Sequence, residues 1–395
     1  MDHVTLDRKE LIATLPALKR ALPKVKPFNE WTKGCGRLSY LNGCAVLAAT
    51  DAEMSTLSRE FKGQGSGAWV TAIPLASLTD FAKASSDETI RIEADTDGPD
   101  YRVRFIDSMG IAEHNVPDVE RLPDARGQAR IDAPDACDSQ SMHVDAKELR
   151  AELDWVSRAS SIDPTRYNLN SVYFDSGEKQ SVMNESRLVA TDGHRLHTAT
   201  LLYSGDRHAS HMIPLKAVKG ILAAIGKRPE SNVRWIHYGG YQAPFYSVTV
   251  GPWIIHYEAI NGEFPNWRQV VPNVTHHRFY ADVSGLAKAC DSIAKRCKAS
   301  KERTRFGILS HDATGGTLER TGECMARFEG YSDSEFRSGI NVDYLGDALS
   351  GFSRGVTLDW ETIDAENTVM SAIRIETRNP TSAFGRTAVV MPARV

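Results

Sequence analysis

Three stretches of the chain place apolar residues at helical spacing just after an aspartate: residues 6–22 (LDRKELIATLPALKRAL), 144–160 (VDAKELRAELDWVSRAS) and 281–297 (ADVSGLAKACDSIAKRC). Recurrence of apolar positions three and four residues apart predicts amphipathic helices, and Asp7, Asp145 and Asp282 are suitable N-caps. The starts lie about 140 residues apart, a spacing that signals an internal repeat. A second helix type recurs behind a short strand end, in IPLASLTDFAKA from Ile73, IPLKAVKGILAAIGK from Ile213 and INVDYLGDALSGF from Ile340. The first two share Ile-Pro-Leu, with proline near a helix start, where its missing N–H costs little.

Between the helices the pattern alternates in strand fashion. GRLSYLNGCAVLAAT predicts a hairpin, with Asn42-Gly43 supplying the positive φ angles of a tight turn. NSVYFD, YSVTVGPWIIHYEAI and VTLDWETI are further strand candidates, and IAEHNVPDVERLPD and AINGEFPNWRQVVP are matching connectors. The pattern predicts an α+β chain of three similar units, 1–140, 141–278 and 279–395, each with antiparallel sheet and two helices. LAATDAEMSTL from Leu47 has a twin in LVATDGHRLHT from Leu188. Both close an apolar strand on Ala-Thr-Asp, so Asp51 and Asp192 are expected to build a turn.

The length of 395 residues fits roughly two to three domains. A hydrophobic content of 41% and a charged content of 25% are ordinary for a globular protein. No apolar run approaches the ~18–20 residues of a membrane-spanning helix. The N-terminal MDHVTLDRKE lacks the basic-then-apolar order of a signal peptide, which points to the cytoplasm. A net charge of −4 argues against a protein that coats nucleic acid over its whole surface, though not against a local basic lining. The six cysteines (35, 44, 137, 290, 297 and 324) are scattered, without CxxC, and read as reduced and mostly buried thiols.

Residues 188–197, LVATDGHRLH, hold the densest candidate chemistry. A hydrolase or metal enzyme would use Asp192 and His194, with His197 nearby. No nucleophile elbow, P-loop or HExxH accompanies them. The pairs His208/His211 and His276/His277 lie in polar segments and are expected to face solvent. No metal or cofactor is implied.

RYNLNSVYFD (166–175), LVATDGHRLH, GEFPNWRQVVP (262–272), INVDYLGDAL (340–349) and the terminal VVMPARV (389–395) together resemble the bacterial DNA sliding clamp family, the DNA polymerase III beta subunits. The resemblance implies half of a ring: three clamp units with helices inside and sheets outside, closed by a head-to-tail homodimer. It implies a non-catalytic partner of duplex DNA, held topologically. A ring that cannot leave the duplex gives any bound polymerase a high effective concentration at the primer end. DNA polymerase, clamp loader and repair factors would dock through short linear peptides, with no membrane involved. By position, the peptide pocket would comprise Leu169, Thr191, Gly193, His194, Arg195, Leu196, Pro265, Val270, Val389, Val390, Met391, Pro392, Ala393, Arg394 and Val395. Its Leu, Val, Met and Pro side chains would take Leu or Phe anchors, and Arg195 and Arg394 would pair with peptide groups at the rim. Arg166 and Tyr167 correspond to residues that touch DNA near a single-strand junction, and Asn168 stands where the family has an aromatic. Lys24, Lys26, Lys216, Lys219, Lys295, Lys298, Lys301 and Arg303 give all three units a basic trend suited to phosphate contacts without sequence reading. Ala393 and Val395 depart from the family's larger terminal residues. A phage- or plasmid-borne clamp, or a repair paralogue with altered peptide preference, is the alternative.

Overall fold

The computed structural model describes residues 2–22, 34–50, 55–95, 101–119, 139–176, 184–226, 232–239, 244–273, 275–299, 305–312, 315–320, 324–364, 366–377 and 385–393. Six α-helices lie among them: α1 (Arg8–Ala21), α2 (Leu75–Ala84), α3 (Ala146–Ser157), α4 (Leu215–Ile225), α5 (Val283–Ala299) and α6 (Val342–Leu349). Each begins where a strand ends. Asp2–Asp7, Trp69–Pro74, Ser139–Asp145, His211–Pro214, His277–Asp282 and Phe336–Asn341 run directly into α1 to α6 in turn. Capping explains several of these switches. Asp7 accepts from the Glu10 N–H at 2.8 Å, and Asp282 from the Gly285 N–H at 2.7 Å. Asn341 accepts from the N–H groups of Asp343 and Tyr344 at 3.0 and 3.3 Å. Each side chain satisfies a donor that the first helical turn leaves open. On α1, Leu11, Thr14, Leu15 and Leu18 are buried at the predicted spacing. α1 packs on α2, and α5 on α6.

The chain forms two compact units. One holds Met1–Lys147, Gly205–His208 and Lys216–Ala259, and the other Glu148–Ser204, Ala209–Leu215 and Ile260–Val395. In the first unit an all-antiparallel run of strands passes from Ser139–Asp145 through Asn232–Tyr238, Phe245–Val250 and Trp253–Glu258 to Ser55–Lys62. It continues through Cys44–Thr50 and Cys35–Leu41 to Trp69–Pro74. A separate five-stranded sheet ends on Gly110–Asn115, whose only strand partner among the described residues is Arg102–Asp107. The predicted hairpin is present: Leu41 faces Cys44, and Asn42 and Gly43 take φ of 50° and 83°.

The second unit repeats this plan. His211–Pro214 pairs with Ser171–Ser176, which pairs with Asn184–Thr191 and then Arg195–Gly205. Arg195–Gly205 pairs with Arg386–Val390, which leads through Ile373–Thr377 and Gly355–Trp360 to His277–Asp282. A four-stranded sheet, Phe336–Asn341, Phe306–Asp312, Gly315–Arg320 and Cys324–Phe328, ends on the last of these.

Two expectations about side chains change. His208 and His211 are buried rather than solvent-facing. His211 opens a strand and stacks on Phe174 at 5.2 Å. His208 sits in an aromatic cluster with Trp235, Tyr246 and His237, its Nε2 3.2 Å from the Gln140 carbonyl. Its segment reads as a polar connector, but the ring fills core space as a neutral group. His276 is exposed, and His277 is half-buried against Trp360. Of the cysteines, Cys290 and Cys297 are buried on α5, Cys35 is half-buried, and Cys44 is exposed. Cys137 and the Cys324 side chain lie outside the described residues.

Candidate functional site

Strand pairing builds the floor of the site. Thr191 pairs with Leu196 across a tight loop, and Leu196 pairs on its other side with Val389. The ladder continues past the last strand, since the Met391 N–H donates to the His194 carbonyl at 2.9 Å. Val189, Leu196, Trp267 and Val389 form a buried cluster, with Tyr173, Phe264, Val271 and Ala372 packed half-buried against it. Val270 and Met391 remain exposed at 44% and 42%. An apolar floor with exposed apolar residues on separate segments is what a peptide groove requires.

The loop over this floor is self-structured. Asp192 Oδ1 accepts from the backbone N–H groups of His194 and Arg195 at 2.9 and 3.1 Å. Thr191 Oγ1 accepts from the Gly193 N–H at 3.1 Å and donates to the Arg195 carbonyl at 2.6 Å. Gly193 takes φ of +91°, a left-handed value that favours glycine. Asp192 is therefore a turn builder, as its twin at Asp51 implied, although Asp51 itself lies outside the described residues. With both oxygens engaged, one by Arg195 Nε at 3.0 Å, Asp192 does not present a free acid–base group beside His194.

Arg195 differs from the expected rim residue. Its side chain is only 11% exposed. Nη1 donates to Asp347 Oδ2 and Nη2 to the Arg158 carbonyl, both at 2.5 Å. The guanidinium also lies over the Tyr344 ring at 4.4 Å. It has internal partners on all three nitrogens, so it holds the loop rather than meeting solvent. His194 is exposed. His197 is buried, stacked on Trp155 at 4.5 Å and donating from Nδ1 to the Trp155 carbonyl at 3.0 Å. Burial lowers its pKa to about 4.

The connector 262–272 closes the other side. Tyr173 and Phe264 stack at 4.8 Å. Trp267 Nε1 donates to Asp175 Oδ2 at 2.8 Å, and Arg268 pairs with the same oxygen at 2.7 Å. Arg374 Nη1 donates to the Pro272 carbonyl at 2.9 Å. Pro265 is exposed, and Leu169, Pro392 and Ala393 are half-buried. Val390 is buried, and the Ala393 N–H donates to the Gly339 carbonyl at 2.8 Å. Arg394 and Val395 lie outside the described residues. Sequence reasoning assigned no role to Tyr173, Phe264, Trp267, Tyr344 or Asp347. The aromatics of GEFPNWRQVVP were the available signal for Phe264 and Trp267; the others depend on contacts remote in sequence.

Of the basic residues, Lys216 and Lys219 are exposed on α4, opposite its buried Ala217, Val218 and Ile221. Lys295 and Lys298 are exposed on α5, with Lys295 paired to Asp291 at 2.5 Å. Arg166 donates to the Asp192 carbonyl at 3.0 Å, and Tyr167 is 60% exposed. The Asn168 amide donates to the Glu263 carbonyl at 3.3 Å, tying its loop to the connector. Lys24, Lys26, Lys301 and Arg303 lie outside the described residues.

No protein-family model matches the chain. The beta sliding clamp of Proteus mirabilis is 25% identical over 360 residues, covering 88% of each protein. That of Caulobacter vibrioides is 25% identical over 316 residues, covering 76% of this chain and 78% of its own. Among solved structures, the DNA polymerase III subunit beta clamp of Bartonella birtlesii, bound to griselimycin, superposes with a TM-score of 0.80 at 19% identity, covering 100% of both chains. The DNA polymerase sliding clamp of Bacillus subtilis superposes with a TM-score of 0.80 at 14% identity, covering 100% of this chain and 99% of its own. The chain thus shares the fold of the bacterial DNA sliding clamps over its full length and is similar to them in sequence, at about 25% identity, along most of it.

Proposed function

We propose that the chain is a processivity clamp, a non-catalytic cytoplasmic protein that encircles duplex DNA as a head-to-tail homodimer and tethers a DNA polymerase. The similarity to DNA polymerase III beta subunits over the full chain carries this reading. Each subunit would contribute three clamp units, 1–140, 141–278 and 279–395, to a ring of six. Among the described residues two strands end their sheets, and these edges would be the means of closure. Gly110–Asn115 ends one sheet and exposes Ile111 at 66%; Cys324–Phe328 ends another and exposes Met325 at 54%. An edge strand with unpaired N–H and C=O groups is a template for a second chain.

The groove around Leu196, Val270, Val389 and Met391 would receive linear peptides from polymerase, clamp loader and repair factors. The exposed lysines of α4 and α5, with Arg166 and Tyr167, would face the DNA. Light scattering and retention on loaded DNA test the proposal. A species of twice 43.6 kDa that stays on circles and leaves linearised DNA supports it. A monomer, or retention indifferent to DNA ends, overturns it. Two departures from the family pattern favour a phage- or plasmid-borne clamp, or a repair-dedicated paralogue, with altered peptide preference. Asn168 uses its amide to bind Glu263 where the family offers an aromatic ring, and Ala393 narrows the apolar contribution of the terminus. A panel of clamp-binding peptides distinguishes this variant by its order of affinities.

A further inference from the structure

The loop over the groove is anchored by a side chain whose strongest partner belongs to a different part of the chain. Asp347 stands in the last turn of α6, at the end where the helix dipole is negative and a carboxylate is disfavoured. That carboxylate is half-exposed and meets Arg195 Nη1 at 2.5 Å, across 152 residues of sequence. Its helix end is itself fixed from a third direction. Trp155 Nε1 donates to the carbonyls of Asp347 and Ala348 at 3.2 and 3.1 Å.

We infer that Asp347 is a positioning residue for the peptide groove, acting through Arg195. This rests on the groove being the peptide site. The Asp347–Arg195 pair presses the guanidinium over Tyr344 and leaves Nε to hold Asp192, whose other oxygen shapes the turn at His194. His194 in turn accepts the Met391 N–H, which sets one exposed apolar edge of the groove. Removing the Asp347 charge leaves Arg195 with one carboxylate instead of two and releases the loop from α6. A charge-assisted hydrogen bond in a half-buried setting is worth more than a neutral one, so the loss reaches the loop geometry.

The test is fluorescence anisotropy on the full chain with a labelled peptide ending in Leu-Phe. Asp347→Asn is expected to weaken binding about tenfold, with the circular dichroism spectrum and dimer mass unchanged. Asp347→Glu, which keeps the charge, restores most of the affinity; a purely structural role would not track charge in this way. Arg195→Met combined with Asp347→Asn binds no more weakly than Arg195→Met alone, because both break one strut. If Asp347→Asn destabilises the chain, Arg195→Lys reads the same strut, keeping the charge while losing the three-way fork, and should show a loss of similar size. Undiminished binding by Asp347→Asn, or additive losses in the double variant, overturns the inference. Met391→Glu separates the two levels. If it abolishes binding while Asp347→Asn does not affect it, the strut alone falls. If the unsubstituted chain does not bind, or Met391→Glu changes nothing, the groove reading fails and the inference with it.

Discussion

Asp192 engages both carboxylate oxygens within three residues of itself, and that economy fixes the shape of the candidate groove. The turn needs Gly193 at φ +91°, and a methyl group there would approach Arg166 Nη1 to 3.3 Å. Gly193→Ala is expected to lower stability by about 1 kcal/mol, read by urea unfolding, and to weaken peptide binding at the same time. Beneath the loop, Trp267→Phe keeps most of the ring but removes the N–H that Asp175 accepts. Asp175 is buried, so a loss of about 1–3 kcal/mol is expected in the same unfolding experiment. At this scale the sequence was informative where the chemistry is local. The repeated Thr-Asp marked Asp192 as a turn residue. Arg195 was misread as a rim residue because Asp347 and the Arg158 carbonyl, which occupy it, are remote in sequence.

Helices and strands followed their patterns closely where the signal was periodic. Apolar positions three and four apart located α1, α3 and α5, and Asn-Gly located the hairpin between Cys35–Leu41 and Cys44–Thr50. Very short strands were harder. His211–Pro214 lies beside a run that reads as a connector, yet it pairs with Ser171–Ser176. Links between elements were silent in the pattern. Arg386 makes a two-pronged pair with Glu152 of α3 at 2.7 Å on each arm, and its guanidinium also lies over Trp155 at 5.3 Å. Glu152 is 7% exposed. Arg386→Met would leave that carboxylate without its cation in a dry setting. A loss of about 3–5 kcal/mol is expected by chemical denaturation, with a smaller loss when Glu152→Met is added. Equal losses for the single and double variants would show that packing around Trp155, rather than the charge, sets the cost.

For the molecule as a whole, three buried histidines set an acid limit. Burial holds His197, His208 and His256 at a pKa of about 4, below the ordinary 6.5. The folded chain keeps them neutral, while the unfolded chain takes up protons below about pH 6.5. Their contribution is therefore fully present above pH 6.5 and is lost as the pH falls toward 4. Urea unfolding at pH 7.5 and pH 5 should differ by a few kcal/mol in favour of the higher pH. Assembly makes a separate prediction. Ile111→Asp places a charge on the exposed edge Gly110–Asn115, and light scattering should then show monomer where the unsubstituted chain is a dimer. An unchanged dimer would move the ring contact elsewhere.

The sequence by itself determined the recurring strand-to-helix steps, the amphipathic faces, the tight turns and the family resemblance. These depend on spacing and on residues within a few positions of one another, so the pattern carries them. Tertiary structure decided which strand meets which across repeats, as Trp253–Glu258 meets Ser55–Lys62 and Arg195–Gly205 meets Arg386–Val390. It also decided that His208 and His211 are core residues and that Arg195 is held from inside the protein. The reason is physical: burial and ion pairing depend on the partner that folding brings up, and those partners lie as far as 234 residues away in the chain.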